Sequence, residues 1–505
     1  MAKAPNSGLT KKHWFGYMFG DWGGCMTFAL MSSIFSIYCT NVLGIDTKVM
    51  FVLTVIWTVW DAINDPMMGT IVDKTRSKWG KCRPYLFYVP GIVLITTILT
   101  FVNGQYSAAN PMSKNILIIG WAAVSYILWG MTYTAGDIPL WGITSLMTES
   151  NKDRENLLSL ARIVAAIGGA AVMFSVVPVS QSVGASFTAG GMSQADGLQW
   201  GFIVVCGAMT LVGCLLFQCA AFAKERVAQP SDDAKTFVQN VKIMWACKPF
   251  RRVLISNVIK APVQLILGVA MTLLSYYYGD NGGGGQSYML YMAILGGSMY
   301  GAQFLAMAVT PKLCEKLEKR TVYNATTILG ALPFVFVFII YLVAGTSLYQ
   351  PLWVALLALF FGLAGLGIGS STVMMSVLIA DCVDYDEHRT GYRPDGIFFS
   401  GQSFVTKLGA GISSFIQGIV FAIVGFSGDN VARINEVLAD SPATDFLFAT
   451  APEFEPYRFG MFFLISVPTA ISCVIAVLPM LKYELTNAKH AEILAQLNER
   501  RNANG

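Results

Sequence analysis

The sequence predicts an all-α membrane protein: twelve transmembrane helices in two bundles of six. Three observations predict it. The chain of 505 residues is 54% hydrophobic and only 13% charged, where soluble domains run nearer 25% charged, and its mean hydropathy is +0.56. Apolar runs long enough to cross a bilayer fall at about 15–39, 50–72, 85–104, 115–147, 157–180, 199–223, 251–277, 288–311, 322–344, 352–379, 395–426 and 457–481. Lys and Arg then sort by side. Of 34, 27 fall in the tails and alternate loops, 4 in the opposite loops, and 3 (Arg162, Lys260 and Lys407) within spans. That asymmetry predicts cytoplasmic termini and a cytoplasmic 224–252 loop.

Each run is predicted to be helical, because backbone groups in lipid must be satisfied within their own segment. Residues 1–223 and 251–482 would be the two bundles, 224–250 a cytoplasmic connector and 483–505 a tail. The first run lacks a small-residue cleavage site and contains Asp21, so it reads as a retained span. Ala, Ile and Leu at helical spacing in Thr486–Arg501 predict a small solvated or surface-lying helix. Two six-span halves suit a plan in which related bundles surround a midplane site.

Composition also excludes. The net charge of +4 and the lack of a basic patch with interleaved aromatics give no reason to expect a nucleic-acid partner. Ten scattered Cys and three distant His (His13, His388, His490) predict neither disulfides nor a transition-metal site. The Gly282–Gly285 run lacks the lysine of a phosphate cradle and reads as a flexible loop tip. No organic cofactor is expected, and no enzyme, for want of a nucleophile–base set or metal motif. A monomer is expected.

Four carboxylates inside spans carry the functional signal: Asp21, Asp61, Asp65 and Asp137. Each costs roughly 3 kcal/mol at mid-bilayer, and such residues mark ion or substrate pathways. Asp61 and Asp65 lie at i, i+4 on one helix face, and two carboxylates so close do not both ionise without a compensating cation. Asn64 adds a neutral oxygen and Pro66 frees a backbone carbonyl. Oxygen ligands suit a hard cation or a proton. In span 4, Tyr133, Asp137 and Trp141 share a face at i, i+4, i+8, while Thr134 offers a further oxygen to the cation. An aromatic platform beside a carboxylate is how a sugar is held, its C–H face on the ring and its hydroxyls donating to the acid. Arg162 offers a bidentate partner to a hydroxyl pair, a carboxylate or Asp21. Gln402, Ser403, Thr406 and Lys407 cluster in span 11, and Lys260 is expected to snorkel toward the interface.

Taken together, the motifs resemble the glycoside–pentoside–hexuronide:cation symporters. They are Gly20-Asp21, Trp60-Asp61-Ala-Ile-Asn64-Asp65-Pro66, Asp73-Lys-Thr-Arg-Ser-Lys78-Trp79-Gly80-Lys81-Cys-Arg-Pro84, Asp137-Ile-Pro139-Leu-Trp141, Asp381-Cys-Val-Asp384-Tyr385 and Lys407, in the family's order. The resemblance implies a major facilitator fold in a bacterial plasma membrane and cation-coupled import of a glycoside, oligosaccharide or hexuronide by alternating access. It implies a cation site of Asp61, Asn64, Asp65 and Thr134. Asp21, Tyr133, Asp137, Trp141 and Arg162, with Gln402, Ser403 and Lys407, would line the sugar site. Arg154, Asp381, Asp384 and Arg393 would form a cytoplasmic ion-pair gate. The melibiose-carrying branch has a lysine where Gly20 stands and a tryptophan where Thr372 stands, and Lys260 has no counterpart there. Which sugar is carried, and whether Na⁺ or H⁺ drives it, stay open. The rival reading is a lysolipid or lipid carrier on the same fold, which would need an apolar channel open to the side.

Overall fold

The computed structural model describes residues 9–45, 47–103, 116–148, 150–226, 237–278, 290–393, 395–426, 430, 433–434, 437–438 and 446–504. Gly282–Gly285, Lys114 and part of the 224–250 connector (227–236) lie outside them. The described residues are helical with short loops, and each of the twelve apolar runs falls on helix, the seventh on two helices with a break between them. They are α1 (Lys11–Ala29), α2 (Thr47–Lys74), α3 (Arg83–Phe101), α4 (Ile116–Met147), α5 (Asn151–Ala189) and α6 (Gln194–Gln218). A short α7 (Phe237–Ala246) follows, then the pair α8 (Lys248–Ile259) and α9 (Leu265–Tyr277), which together fill the seventh run. Next come α10 (Gly297–Lys316), α11 (Lys319–Ala344), α12 (Pro351–Thr390), α13 (Asp395–Val424) and α14 (Glu455–Met480), with α15 (Asn487–Asn504) after the spans.

Among the described residues nine helices are long and apolar enough to span a membrane on length and composition, ten if the bent α8/α9 pair is one span. The two predicted spans that miss that criterion, α1 and α2, are those that carry Asp21, Asp61 and Asp65. α1 ends as regular α-helix at Ala29 and begins with Lys11, Lys12 and His13, while Asp61, Asn64 and Asp65 make α2 less apolar. α1 is prolonged to Val42 by π-helical turns at Leu30–Ile34 and Tyr38–Val42. α2 shows the division of labour plainly. Val52, Val55, Val59 and Ile63 stand exposed along one stripe, while Asn64 and Asp65 are buried on another.

The chain forms two compact units. The first comprises Met1–Cys247, Ile379–Phe404 and His490–Gly505, and the second Lys248–Leu378 and Val405–Lys489. Within each, backbones meet at glycine, as membrane helices do when small residues let them close. A Cβ on Gly23 of α1 would lie 2.1 Å from the Gly213 carbonyl of α6. In the second unit a Cβ on Gly367 of α12 would lie 2.1 Å from the Gly330 nitrogen of α11.

Three expectations are corrected. α12 runs on past the apolar stretch to Thr390, 40 residues or about 60 Å, so Asp381 and Asp384 sit on regular helix. The seventh span is broken rather than continuous, with a 47° bend between Lys248–Ile259 and Ala261–Leu274; Pro262, which has no N–H to give, is the cause. α15 is not a solvated tail helix. His490, Ile493 and Leu497, at i, i+3 and i+7, are 2%, 5% and 3% exposed, and His388 meets Gln496 at 2.6 Å. Leu497→Ala should remove about 2–4 kcal/mol of docking. Hydrogen–deuterium exchange should then quicken over 487–504 and stay unchanged in α4; equal exchange in both proteins would mean the helix is held by something else.

Candidate functional site

The i, i+4 spacing of Asp61 and Asp65 meets an equal spacing on α4. Asp65 is fully buried, and its Oδ1 accepts from Thr134 Oγ1 at 3.0 Å. One turn away, Gly130 faces Asp61, and a Cβ there would come within 3.3 Å of Asp61 Oδ1. Both contacts link residues 69 apart in sequence, so α2 and α4 cross with carboxylates on one side and a glycine and a threonine on the other. Asn64 is 8% exposed, and its Nδ2 finds no acceptor among the described residues. The cluster offers oxygen donors, which suits a hard cation.

α4 turns a second face to a second cluster. Asp137 Oδ1 accepts from Trp141 Nε1 at 3.1 Å and from the Tyr133 hydroxyl at 3.4 Å, as the i−4 and i+4 spacing predicts. Ser403 Oγ donates to the other oxygen, Oδ2, at 3.3 Å. The Tyr133 hydroxyl also reaches the Gly24 carbonyl of α1 at 3.2 Å. Arg162 lies over the Trp141 ring, 3.9 Å from its centroid, a cation–π contact that fixes both planes. Asp21 is 1% exposed, with Cys25 Sγ 3.9 Å from its Oδ1 and no donor to its Oδ2 among the described residues. Arg162 and Asp137 are the charges that act on it. An indole, two carboxylates and a guanidinium thus gather around α4. Gln402 is buried beside Ser403. Lys407, one turn further along α13, is half-buried and belongs to the second unit.

Trp141→Phe removes the indole N–H while keeping a ring. If this cluster holds a sugar, as the sequence predicts, the KM for it should rise about tenfold, the loss of one charge-assisted hydrogen bond of roughly 1.5 kcal/mol. An unchanged KM would take Asp137–Trp141 out of the predicted sugar site.

At the Lys- and Arg-rich end of the first unit, the four predicted gate residues come together inside a larger buried network. Asp384 takes Arg154 Nη1 at 2.7 Å and Arg393 Nη1 at 3.1 Å. Asp381 joins through His490, whose ring lies 3.5 Å from Asp381 and 3.2 Å from Asp384. Arg393 further pairs with Glu387, with Asp395 at 3.2 Å and with the Ser145 carbonyl at 2.9 Å. Asp395 also accepts from Ser145 and from Lys81 Nζ at 2.9 Å, and Lys81 continues to Asp73 at 3.0 Å. Asp73 closes the circuit by accepting the Gly396 and Ile397 amides at 2.9 and 3.0 Å. Burial alone would lower the Lys81 pKa, but Asp395 and Asp73 more than offset it and hold the ammonium above its usual range. Arg393 is held charged in the same way by Asp395, Asp384 and Glu387.

Sequence reasoning assigned no role to Lys81, Asp73, Asp395, Glu387 or His490. Lys81 and Asp73 stood inside the 73–84 motif, which was a signal. Asp395 gave none, because its partner is 314 residues away.

The chain matches the MFS/sugar transport protein family over residues 16–487. The isoprimeverose transporter of Lactiplantibacillus pentosus is 27% identical over 82% of this chain and 80% of its own. The glucuronide carrier protein homolog of Escherichia coli (strain K12) is 25% identical over 82% of this chain and 84% of its own. The solved structure of the proton:xylose symporter XylE superposes with a TM-score of 0.55 at 11% identity, over 97% of this chain and all of that one, which shows the major facilitator fold. The chain therefore belongs to the MFS/sugar transport protein family of the major facilitator superfamily, and the protein is a multi-pass membrane transporter rather than an enzyme.

Proposed function

We propose that this protein imports a glycoside, oligosaccharide or hexuronide together with Na⁺ or H⁺ by alternating access, across a bacterial inner membrane, with both termini in the cytoplasm. One observation carries the reading: the two clusters share α4. Thr134 holds Asp65 on one face, and Tyr133, Asp137 and Trp141 form the other cluster one residue to two turns away. A cation on Asp61, Asn64, Asp65 and Thr134 relieves carboxylate repulsion and steadies α4, which orders Asp137 for the sugar. Sugar binding returns the same free energy to the cation, since coupling is reciprocal. Asp21, Arg162, Gln402 and Ser403 complete the sugar's contacts. The Arg154–Asp384–Arg393 network with Asp381 holds the cytoplasmic end shut until both ligands are seated. The 27-to-4 split of basic residues supports this orientation.

One positive charge moving inward gains about 2.3 kcal/mol per 100 mV, enough for roughly 50-fold accumulation. The polar, charged lining around α4 disfavours the lipid-carrier reading, which needs an apolar channel. The test is uptake of labelled galactosides, glucosides, xylosides and glucuronides into energised vesicles, with and without a Na⁺ gradient. A sugar accumulating only with Na⁺ fixes substrate and ion together. Accumulation that follows the pH gradient instead makes the ion H⁺. No sugar uptake under any gradient overturns the proposal.

A further inference from the structure

Lys260 does not snorkel as the sequence suggested. It stands at the break between α8 and α9, 12 residues or about 18 Å along from Lys248, and its side chain turns into the second unit. Its Nζ donates to Ser371 Oγ on α12 and lies over the Tyr323 ring of α11, 5.0 Å from the centroid. An ammonium carries three donors. Ser371 takes one and the ring face engages another, and no carboxylate pairs with Lys260 among the described residues.

The composition around it makes that lack systematic. In the second unit's membrane helices the acids stand only at the ends, Glu315 in the last turn of α10 and Glu455 at the first residue of α14; the stretches between, at 251–278, 297–314, 319–344, 351–378, 405–424 and 456–480, contain no Asp or Glu. A cation held within a membrane bundle calls for a partner, and the inner parts of these spans supply none.

The break beside it is built, not frayed. The Ala261 carbonyl accepts from Ser413 Oγ at 2.8 Å, and the Pro262 carbonyl from Thr469 Oγ1 at 3.2 Å. Gln264 holds the Thr406 carbonyl at 3.0 Å through its Nε2, which leaves its Oε1 as an acceptor. Tyr323 is fixed in turn by Ser256, 2.9 Å from its hydroxyl. Interrupted helices whose loosened carbonyls are satisfied by side chains are where transporters place ligand groups.

We propose that Lys260, steadied by Ser371 and Tyr323, receives the carboxylate of an acidic sugar, so that the substrate is a uronide rather than a neutral glycoside. This rests on the sugar-symport reading and names its substrate class. The carboxylate completes the ammonium's third donor, and an adjacent ring hydroxyl donates to Gln264 Oε1.

The test compares two probes that differ in charge alone, 4-nitrophenyl β-D-glucuronide and its uncharged glucuronamide, bound to the purified protein. The wild type should prefer the glucuronide at least tenfold. In Lys260→Met, or in Lys260→Gln should the first not fold, the preference should fall to within about threefold; in Lys260→Arg it should persist. Reading a ratio within one variant separates charge recognition from a general loss of fold. A wild type without preference, or a preference that survives Lys260→Met, overturns this inference and leaves sugar symport standing. Failure of the wild type to bind or transport any sugar of either charge removes both.

Discussion

Asp65→Asn is expected to abolish uphill uptake: the accumulation ratio should fall from roughly 50-fold toward one at 100 mV, while exchange of labelled for unlabelled sugar continues. Asn keeps the shape and still accepts from Thr134, so α4 stays where it is. What goes is the charge that the proposed coupling ion would neutralise. Asp61→Asn should behave alike, because the two carboxylates form one electrostatic unit one turn apart on α2 and each faces α4 at the same offset. The measurement is labelled-sugar uptake into energised vesicles, set beside exchange in de-energised ones. Concentrative uptake that persisted in both variants would move the coupling ion off α2 altogether.

The second large effect is expected at the charged network. Asp395→Asn removes the one carboxylate that touches both Lys81 and Arg393. Removing one partner of a buried pair costs about 3–5 kcal/mol; here Lys81 keeps Asp73 and Arg393 keeps Asp384 and Glu387, so the low end of that range, about 3 kcal/mol, is expected. That penalty falls on the closed network alone, so the open form should gain 100-fold or more in relative population. Cys82 reports it directly. Its thiol is fully buried beside Lys81, and burial pushes its pKa up, so it is unreactive while the network holds. Alkylation of Cys82, followed by peptide mass mapping, should accelerate by about two orders of magnitude in Asp395→Asn. An unchanged rate would mean that Asp395 is structural and that the gate lies elsewhere.

The parts of this chain that were legible before the structure share one property: their partners are near in sequence, or their cost is large. Twelve spans could be read because lipid enforces helix over every long apolar run. Asp61 with Asp65, and Tyr133 with Asp137 and Trp141, could be read because helical spacing alone puts them on one face. The larger network could not. Lys81 meets Asp395 across 314 residues and Arg154 meets Asp384 across 230, and no periodicity encodes such a meeting. The break at Lys260 had a signal in Pro262, outweighed by the apolar run on both sides. The docking of α15 was not legible, because His490, Ile493 and Leu497 make a weak stripe until the surface beneath them is known.

The imidazole of α15 has a consequence for the making of the protein. His490 follows every membrane span in chain order, 106 residues after Asp384. At a ribosomal rate of 5–20 residues per second, roughly 5–20 s separate the two. Arg154, 230 residues upstream, has left the ribosome before Asp384 exists and can hold that carboxylate as α12 inserts. The order of synthesis thus supplies a partner to Asp384 at each stage, arginine first and histidine last. A nascent carrier never has to carry Asp384 bare, and it receives its final clamp only when the membrane domain beneath is whole.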